Sequence, residues 1–330
     1  MKVPSFCVMK EKVCRGMGIV LIIAGFLIFL APELVCGFQD VQTKHFVMTY
    51  EEKYAGDDNI ERENKSHAEA DPLFQEIVDY NQSIYQDGQS GFSDPWGYEQ
   101  SPIDLTGFEN GIFGYIEIPS LGQTFELYIG ATAENMSKGV AIMGQTSLPV
   151  GGENTNCVIA GHRGYNRNKT FFKQIEEIQA GDMIYIRNPW EKLTYKVESV
   201  DVIEPDDLDA VRIQEGRDMV TLLTCHPYAS HGRYRYLVYC TRYEGSDGAE
   251  ASGTGNDTGM PEKENTVMSE YIIASDGEIY PSSKIEIEKE TFFRKVCAGI
   301  ILIFVFYIFF RKVSEGKRLK TESKERRGKS

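Results

Sequence analysis

Two uncharged apolar runs, each with basic residues on its flanks, constrain this chain more than any other feature of its 330 residues. From Gly16 to Pro32 nothing is charged, and Ile19 to Leu30 is almost wholly aliphatic or aromatic, enough with tilt or local thinning to cross a hydrocarbon core. The second run, Val296 to Phe310, lies between Arg294-Lys295 and Arg311-Lys312, whose long stems can snorkel and let Phe292 and Phe293 enter as well. Both read as transmembrane helices, at residues 16–37 and 292–310. A cleaved signal peptide would share the basic start and apolar core of the first run, but no small-x-small site follows it.

Charge sets the orientation. Lys2, Lys10, Lys12 and Arg15 precede the first run, and a basic tail at 311–330 follows the second, so the positive-inside rule places residues 1–15 and 311–330 in the cytoplasm. The segment between the spans is then extracellular, anchored to the cell membrane at both ends. It holds 20 Lys and Arg against 44 Asp and Glu, a net charge of about −24, which excludes nucleic acid as a partner.

Of seven cysteines, only Cys157, Cys225 and Cys240 fall in this outer segment. Three thiols cannot all pair, and an odd cysteine outside the cell points to a reactive one. Cys157, inside the apolar run Cys157-Val158-Ile159-Ala160, and Cys240 read as buried and inert, with a Cys157–Cys240 disulfide as the alternative.

The outer segment changes texture along its length. Residues 38–90 form an acidic stalk with one helix near 72–85, where Leu73, Ile77 and Ile84 recur at helical spacing. Residues 111–243 carry short strand-like runs bounded by Gly, Pro, Asn and Asp: 113–118, 125–129, 157–160, 183–187, 193–203, 219–224 and 235–239. That spacing favours a closed or sandwiched β domain, with one helix near 171–178. Residues 244–291, rich in Gly, Ser, Asp and Glu, read as a flexible tether.

Acyl transfer needs a nucleophile, a proton carrier and a group that stabilises charge on the substrate oxygen. Cys225 ends an apolar run and enters a polar loop, where substrate can reach it. His162 follows another apolar run in "VIAGHRGYN", and spacing alone ranks His162, His226 and His231 equally as its partner. Arg233 and Arg235 open the next run, two apart and on one strand face, so alternation does not choose between them. If the strands ending at Ala160 and Thr224 are parallel neighbours and the arginine strand returns antiparallel, all three groups meet at one sheet edge. A metal site is not expected: His226 and His231 are spaced like half a zinc finger, but no C-x-x-C pair accompanies them.

At these residues the chain resembles the sortases, membrane-anchored cysteine transpeptidases of Gram-positive bacteria. "TLLTC" (Thr221 to Cys225) resembles the nucleophile motif of that family, "GHRG" (Gly161 to Gly164) its histidine segment, and "RYLVY" from Arg235 its arginine strand. The loop "HPYASHGRY" is one residue longer than the usual pattern, and "GQTSLPVGG" carries an extra Gln145. "SDPWG" (Ser93 to Gly97) resembles the lid of the pilin-polymerising class C.

The resemblance implies a mainly β fold: a closed eight-stranded sortase-type barrel over 111–243, an N-terminal helix, and a lid over 91–110, flanked by the two spans. It implies Cys225 as nucleophile, His162 as acid and base, and Arg235 as oxyanion partner, with Asp94, Pro95 and Trp96 forming the lid. Asp94 would pair with Arg235, and Trp96 would cover the sulfur. The implied reaction cleaves an LPxTG-like sorting signal between Thr and Gly, forms a thioacyl enzyme, and transfers it to a pilin lysine amine, with no cofactor. The rival readings are a housekeeping-type sortase that anchors surface proteins to peptidoglycan, and a non-catalytic membrane-anchored surface module.

Overall fold

The computed structural model describes residues 41–54, 70–90, 107–164, 171–228, 232–245 and 271–327, together with the isolated residues 18, 25, 37 and 68. Apart from Gly18 and Gly25, the first apolar run lies outside the described residues, as do the lid residues Asp94, Pro95 and Trp96, and His231. Gln39–Glu286 is one compact unit, and the helix from Ile287 onward belongs to a second.

In the first unit, eight strands close into a barrel: β1 (Ile112–Ile118), β2 (Gln123–Ile129), β3 (Val140–Ile142), β4 (Thr155–Ala160), β5 (Met183–Arg187), β6 (Lys192–Ile203), β7 (Asp218–His226) and β8 (Tyr234–Arg242). Around the barrel the order is β1-β2-β3-β4-β7-β8-β6-β5, and β5 pairs with β1 to close it. The closing contact depends on Gly114, where an added Cβ would stand 1.8 Å from the Arg187 carbonyl oxygen on β5. Alternating residues then supply the interior. Phe113, Leu127, Ile159, Leu222 and Val238 share the main core, while Val158, Leu223 and Leu237 face a second cluster on the outside.

Among the described residues two helices precede the barrel, α1 (residues 41–54) and α2 (Pro72–Gln86). Asp71 caps α2, its carboxylate accepting from the Leu73 N–H at 2.9 Å, and Pro72 occupies the first turn, where its missing N–H costs nothing. Ile77 is fully buried, and Asn81 holds both backbone groups of Leu148, at 2.8 and 2.9 Å, like a strand partner. The extra Gln145 beside this contact is accommodated at φ +62°.

Two sequence expectations are corrected. Strand β3, of only three residues, is too short to show alternation and is absent from the strand-like runs read in the sequence. The helix expected at 171–178 is a single 3-10 turn, Ile175–Glu177, with Phe171 and Phe172 packed edge-on against Phe125. Within the expected tether, residues 271–283 instead form a hairpin, β9 (Tyr271–Ile273) and β10 (Ile279–Pro281), docked on the barrel. Its Ile272 is fully buried in the main core, and Asp201 of β6 accepts hydrogen bonds from the Ser275 N–H and hydroxyl. Polar turn residues around Gly277 mask this short apolar anchor in the sequence.

Helix α3 (Lys284–Arg327) contains one stretch, Lys284–Ile308, long and apolar enough to cross a membrane. Its Phe292, Phe293 and Ile303 are exposed, as a lipid-facing surface would be.

Candidate active site

Strand β4 runs parallel to β7, from Thr155↔Asp218 to Ala160↔Leu223. Strand β8 returns antiparallel, with Cys225 directly opposite Arg235. Two bonds carry the parallel pairing past its last rung: the Gly161 N–H donates to the Leu223 carbonyl at 3.0 Å, and the Thr224 hydroxyl donates to the Gly161 carbonyl at 2.7 Å. His162 therefore leaves β4 at the edge where Cys225 ends β7 and Arg235 opens β8. The His162 carbonyl is held by the Phe172 N–H at 2.9 Å.

Alternation on β7 exposes Cys225 and buries Thr224 and His226 on either side of it. The Arg235 guanidinium folds back, Nη1 donating to the Gly232 carbonyl at 2.6 Å and to the Tyr234 carbonyl at 3.1 Å. Gly232 sits at φ +83°, and a Cβ built there would lie 2.9 Å from Arg235 Nη1 and 3.1 Å from Cys225 Sγ. Thiol and guanidinium thus converge on one bare glycine. Arg233 stays exposed, its guanidinium 5.3 Å from the Tyr234 ring centroid, so the strand register separates the two arginines that alternation could not. Cys157 and Cys240 are free, fully buried, and held neutral because burial pushes both thiols up.

On the inner side of the same strand ends lies a polar cluster that the sequence reading missed. His226, Arg163 and Glu176 are 0%, 4% and 1% exposed. Arg163 Nη2 pairs with Glu176 Oε1, and Arg163 Nη1 lies 3.0 Å from His226 Nδ1. A guanidinium can only donate, so Nδ1 accepts and the imidazole is neutral with its proton on Nε2. The alternative, a protonated Nδ1 donating across 3.4 Å to Glu176, would set that proton against the guanidinium. Burial, aided by the Arg163 charge, holds His226 below its ordinary value against the pull of Glu176. Burial alone would raise Glu176, but its hydrogen-bonding contacts and the charge of Arg163 outweigh that and hold the carboxyl well below its usual range. His226, one of three equal partners for Cys225 on spacing, therefore points away from the thiol.

A closed β-barrel with a strand-end thiol, an arginine facing it across the ladder and a histidine at the end of the neighbouring parallel strand defines the class. Residues 116–243 match the sortase-domain family, so the chain carries a sortase domain. It is 27% identical to sortase D of Bacillus subtilis over 131 residues, and 31% identical to sortase A of Staphylococcus aureus over 132 residues. Each match covers 39% of this chain and 63% of the relative, so the chain spans just under two thirds of their length. Among solved structures, sortase C1 of GBS Pilus Island 1 is 29% identical, with 62% of this chain and 93% of that chain covered at a TM-score of 0.49. Clostridium perfringens sortase C with its C-terminal cell wall sorting motif is 32% identical, with 61% and 98% covered at 0.48.

Proposed function

We propose that the chain is a class C sortase, a cysteine transpeptidase that joins pilins. Cys225 Sγ attacks the threonine carbonyl carbon of an LPxTG-like sorting signal, the C–N bond to glycine breaks, and His162 protonates the departing amine. The product is a thioester on Cys225. A lysine amine of a second pilin attacks that carbonyl, gives its proton to His162, and expels the Cys225 thiolate to leave an isopeptide bond. Arg235 stays protonated throughout and donates to the oxyanion of each tetrahedral intermediate.

The observation that carries this reading is the placement of Cys225 opposite Arg235, with Gly232 bare between them, at the edge where His162 leaves the adjoining parallel strand. No side chain at Gly232 obstructs approach to the sulfur. The class C assignment rests on the Asp94-Pro95-Trp96 motif and on the second apolar helix, with both termini cytoplasmic and the barrel outside.

Intact-mass analysis of the full chain in detergent, incubated with an LPxTG-type peptide, tests the reading. A thioacyl adduct in the parent and in a lid-opened Asp94→Ala, Trp96→Ala variant, absent from Cys225→Ala, is expected. Opening the lid should increase the adduct. An equal adduct in Cys225→Ala, or none in the folded parent and lid variant, would remove the transpeptidase assignment.

A further inference from the structure

The buried cluster behind the site touches each proposed catalytic residue through its chain neighbour. Arg163 follows His162, and His226 follows Cys225. Glu176 ties them together: Oε1 takes the Arg163 pair, while Oε2 accepts from the Ser282 hydroxyl at 2.8 Å and the Ser283 N–H at 2.9 Å. The Ser283 hydroxyl accepts from the Tyr228 N–H at 2.8 Å, which secures the chain just beyond His226. The Tyr236 ring closes the cluster, 5.8 Å from the imidazole and 5.9 Å from the guanidinium.

A buried ion pair is no better for stability than apolar groups of the same volume, because desolvation offsets the attraction. What such a pair does supply is geometry, since a charged hydrogen bond is directional and a methyl contact is not. Here the geometry joins the end of β4, the end of β7 and the two serines that precede α3.

We propose that Glu176 is a positioning residue: through Arg163 and His226 it fixes the chain at His162 relative to Cys225, and Ser282 and Ser283 lock it in place. The inference rests on the sortase reading of those two residues. It makes the segment leading into α3 part of the active-site support.

The test uses the full chain in detergent, with three readouts on Glu176→Gln: kcat, KM for the sorting peptide, and the pH profile of Cys225 alkylation by iodoacetamide, mapped by peptide mass spectrometry. A displacement near 1 Å costs about 10²-fold, so kcat should fall by roughly 10- to 100-fold while KM changes by less than about threefold. The alkylation profile should shift to lower pH, because an uncompensated Arg163 favours thiolate. The double variant Arg163→Met, Glu176→Met removes both charges but leaves Ser282, Ser283 and His226 without their partners, so it should fold with a lower melting temperature and its kcat should remain low.

Parental kcat in folded Glu176→Gln, or in the folded double variant, would overturn the positioning role. If Glu176→Gln does not fold, Ser282→Ala, which deletes one donor to Oε2, takes its place. A fall in kcat of about threefold or more at unchanged melting supports the role, and unchanged kcat overturns it. The two readings fail separately. A folded parent that turns over no sorting peptide, with a shifted alkylation profile in Glu176→Gln, ends the sortase reading and keeps the positioning one. An active parent whose kcat is unchanged in folded Glu176→Gln does the reverse.

Discussion

Cys225 and Arg235 occupy opposite positions of the β7–β8 ladder, and the arginine turns back over Gly232 toward the sulfur. The guanidinium is fixed by two backbone carbonyls, and in the proposed mechanism such a preset donor would meet a developing oxyanion without reorganising.

Replacing Arg235 should therefore lower kcat far more than it raises KM. Loss of a fixed oxyanion donor costs about 10²- to 10³-fold, and Arg235→Ala is expected in that range. Arg235→Lys should recover little, because an ammonium cannot hold both carbonyls and the substrate in one plane. Arg233→Ala, which alters an exposed side chain, should change kcat by less than about threefold. Steady-state kinetics with a sorting peptide decide the matter, and equal losses for Arg233→Ala and Arg235→Ala would refute it.

Gly232→Ala should damage the site through both backbone and space. At φ +83° an L-residue is strained by about 1 kcal/mol or more, and its methyl would press on Sγ and Nη1 together. The expected result is a lower melting temperature with slower alkylation of Cys225. Parental alkylation in Gly232→Ala would mean that the loop lies elsewhere when the thiol reacts.

How much of this was legible beforehand depended on residue pattern. The longer strands announce themselves, because runs such as Phe113–Ile118 and Leu193–Ile203 combine β-branched or aromatic residues with turn residues at both ends. Their register was not legible: the pairing of Cys225 with Arg235 is fixed by the whole β7–β8 ladder, not by either residue. Arg163 could have been found, since alternation from Ile159 through Gly161 turns it inward. Glu176 could not. It and Glu177 are adjacent in "IEEI", one buried and the other exposed, and the partners that choose between them are Arg163 and two serines more than a hundred residues on. The hairpin at 271–281 was hidden for a similar reason, its burial resting on Ile272, on Tyr280 against Tyr234, and on Asp201 far upstream.

The buried cluster should make the fold acid-sensitive. His226 has a folded pKa below its ordinary 6.5, so the folded state binds fewer protons than the unfolded one and stability is lost as pH falls from about that value. Glu176, also depressed, adds a second loss as pH falls below about 4.5. Each group can contribute up to about 1.4 kcal/mol per pH unit. Melting temperature should thus be flat above about pH 7 and decline toward pH 5. His226→Phe should melt lower throughout but lose the decline between pH 7 and 5. A parent protein whose melting does not change over that interval would contradict a neutral buried His226.

The docked hairpin gives the last prediction, and it separates a structural element from a tether. Ile272 has no exposed surface and packs in the same core as Val202 and Tyr236, so trimming it leaves a cavity under β9. Truncation of a buried isoleucine to alanine costs about 2–5 kcal/mol, whereas a residue in a solvated linker costs almost nothing. Ile272→Ala in the full chain should therefore lower the denaturation midpoint substantially. Because the hairpin leads directly to Ser282 and Ser283, loosening it should also release Glu176 from two of its donors. The same variant should then show faster backbone hydrogen exchange at Tyr228, whose N–H is bonded to Ser283. A midpoint unchanged from the parent would return residues 271–283 to the status of a tether, and protected exchange at Tyr228 would uncouple the hairpin from the site.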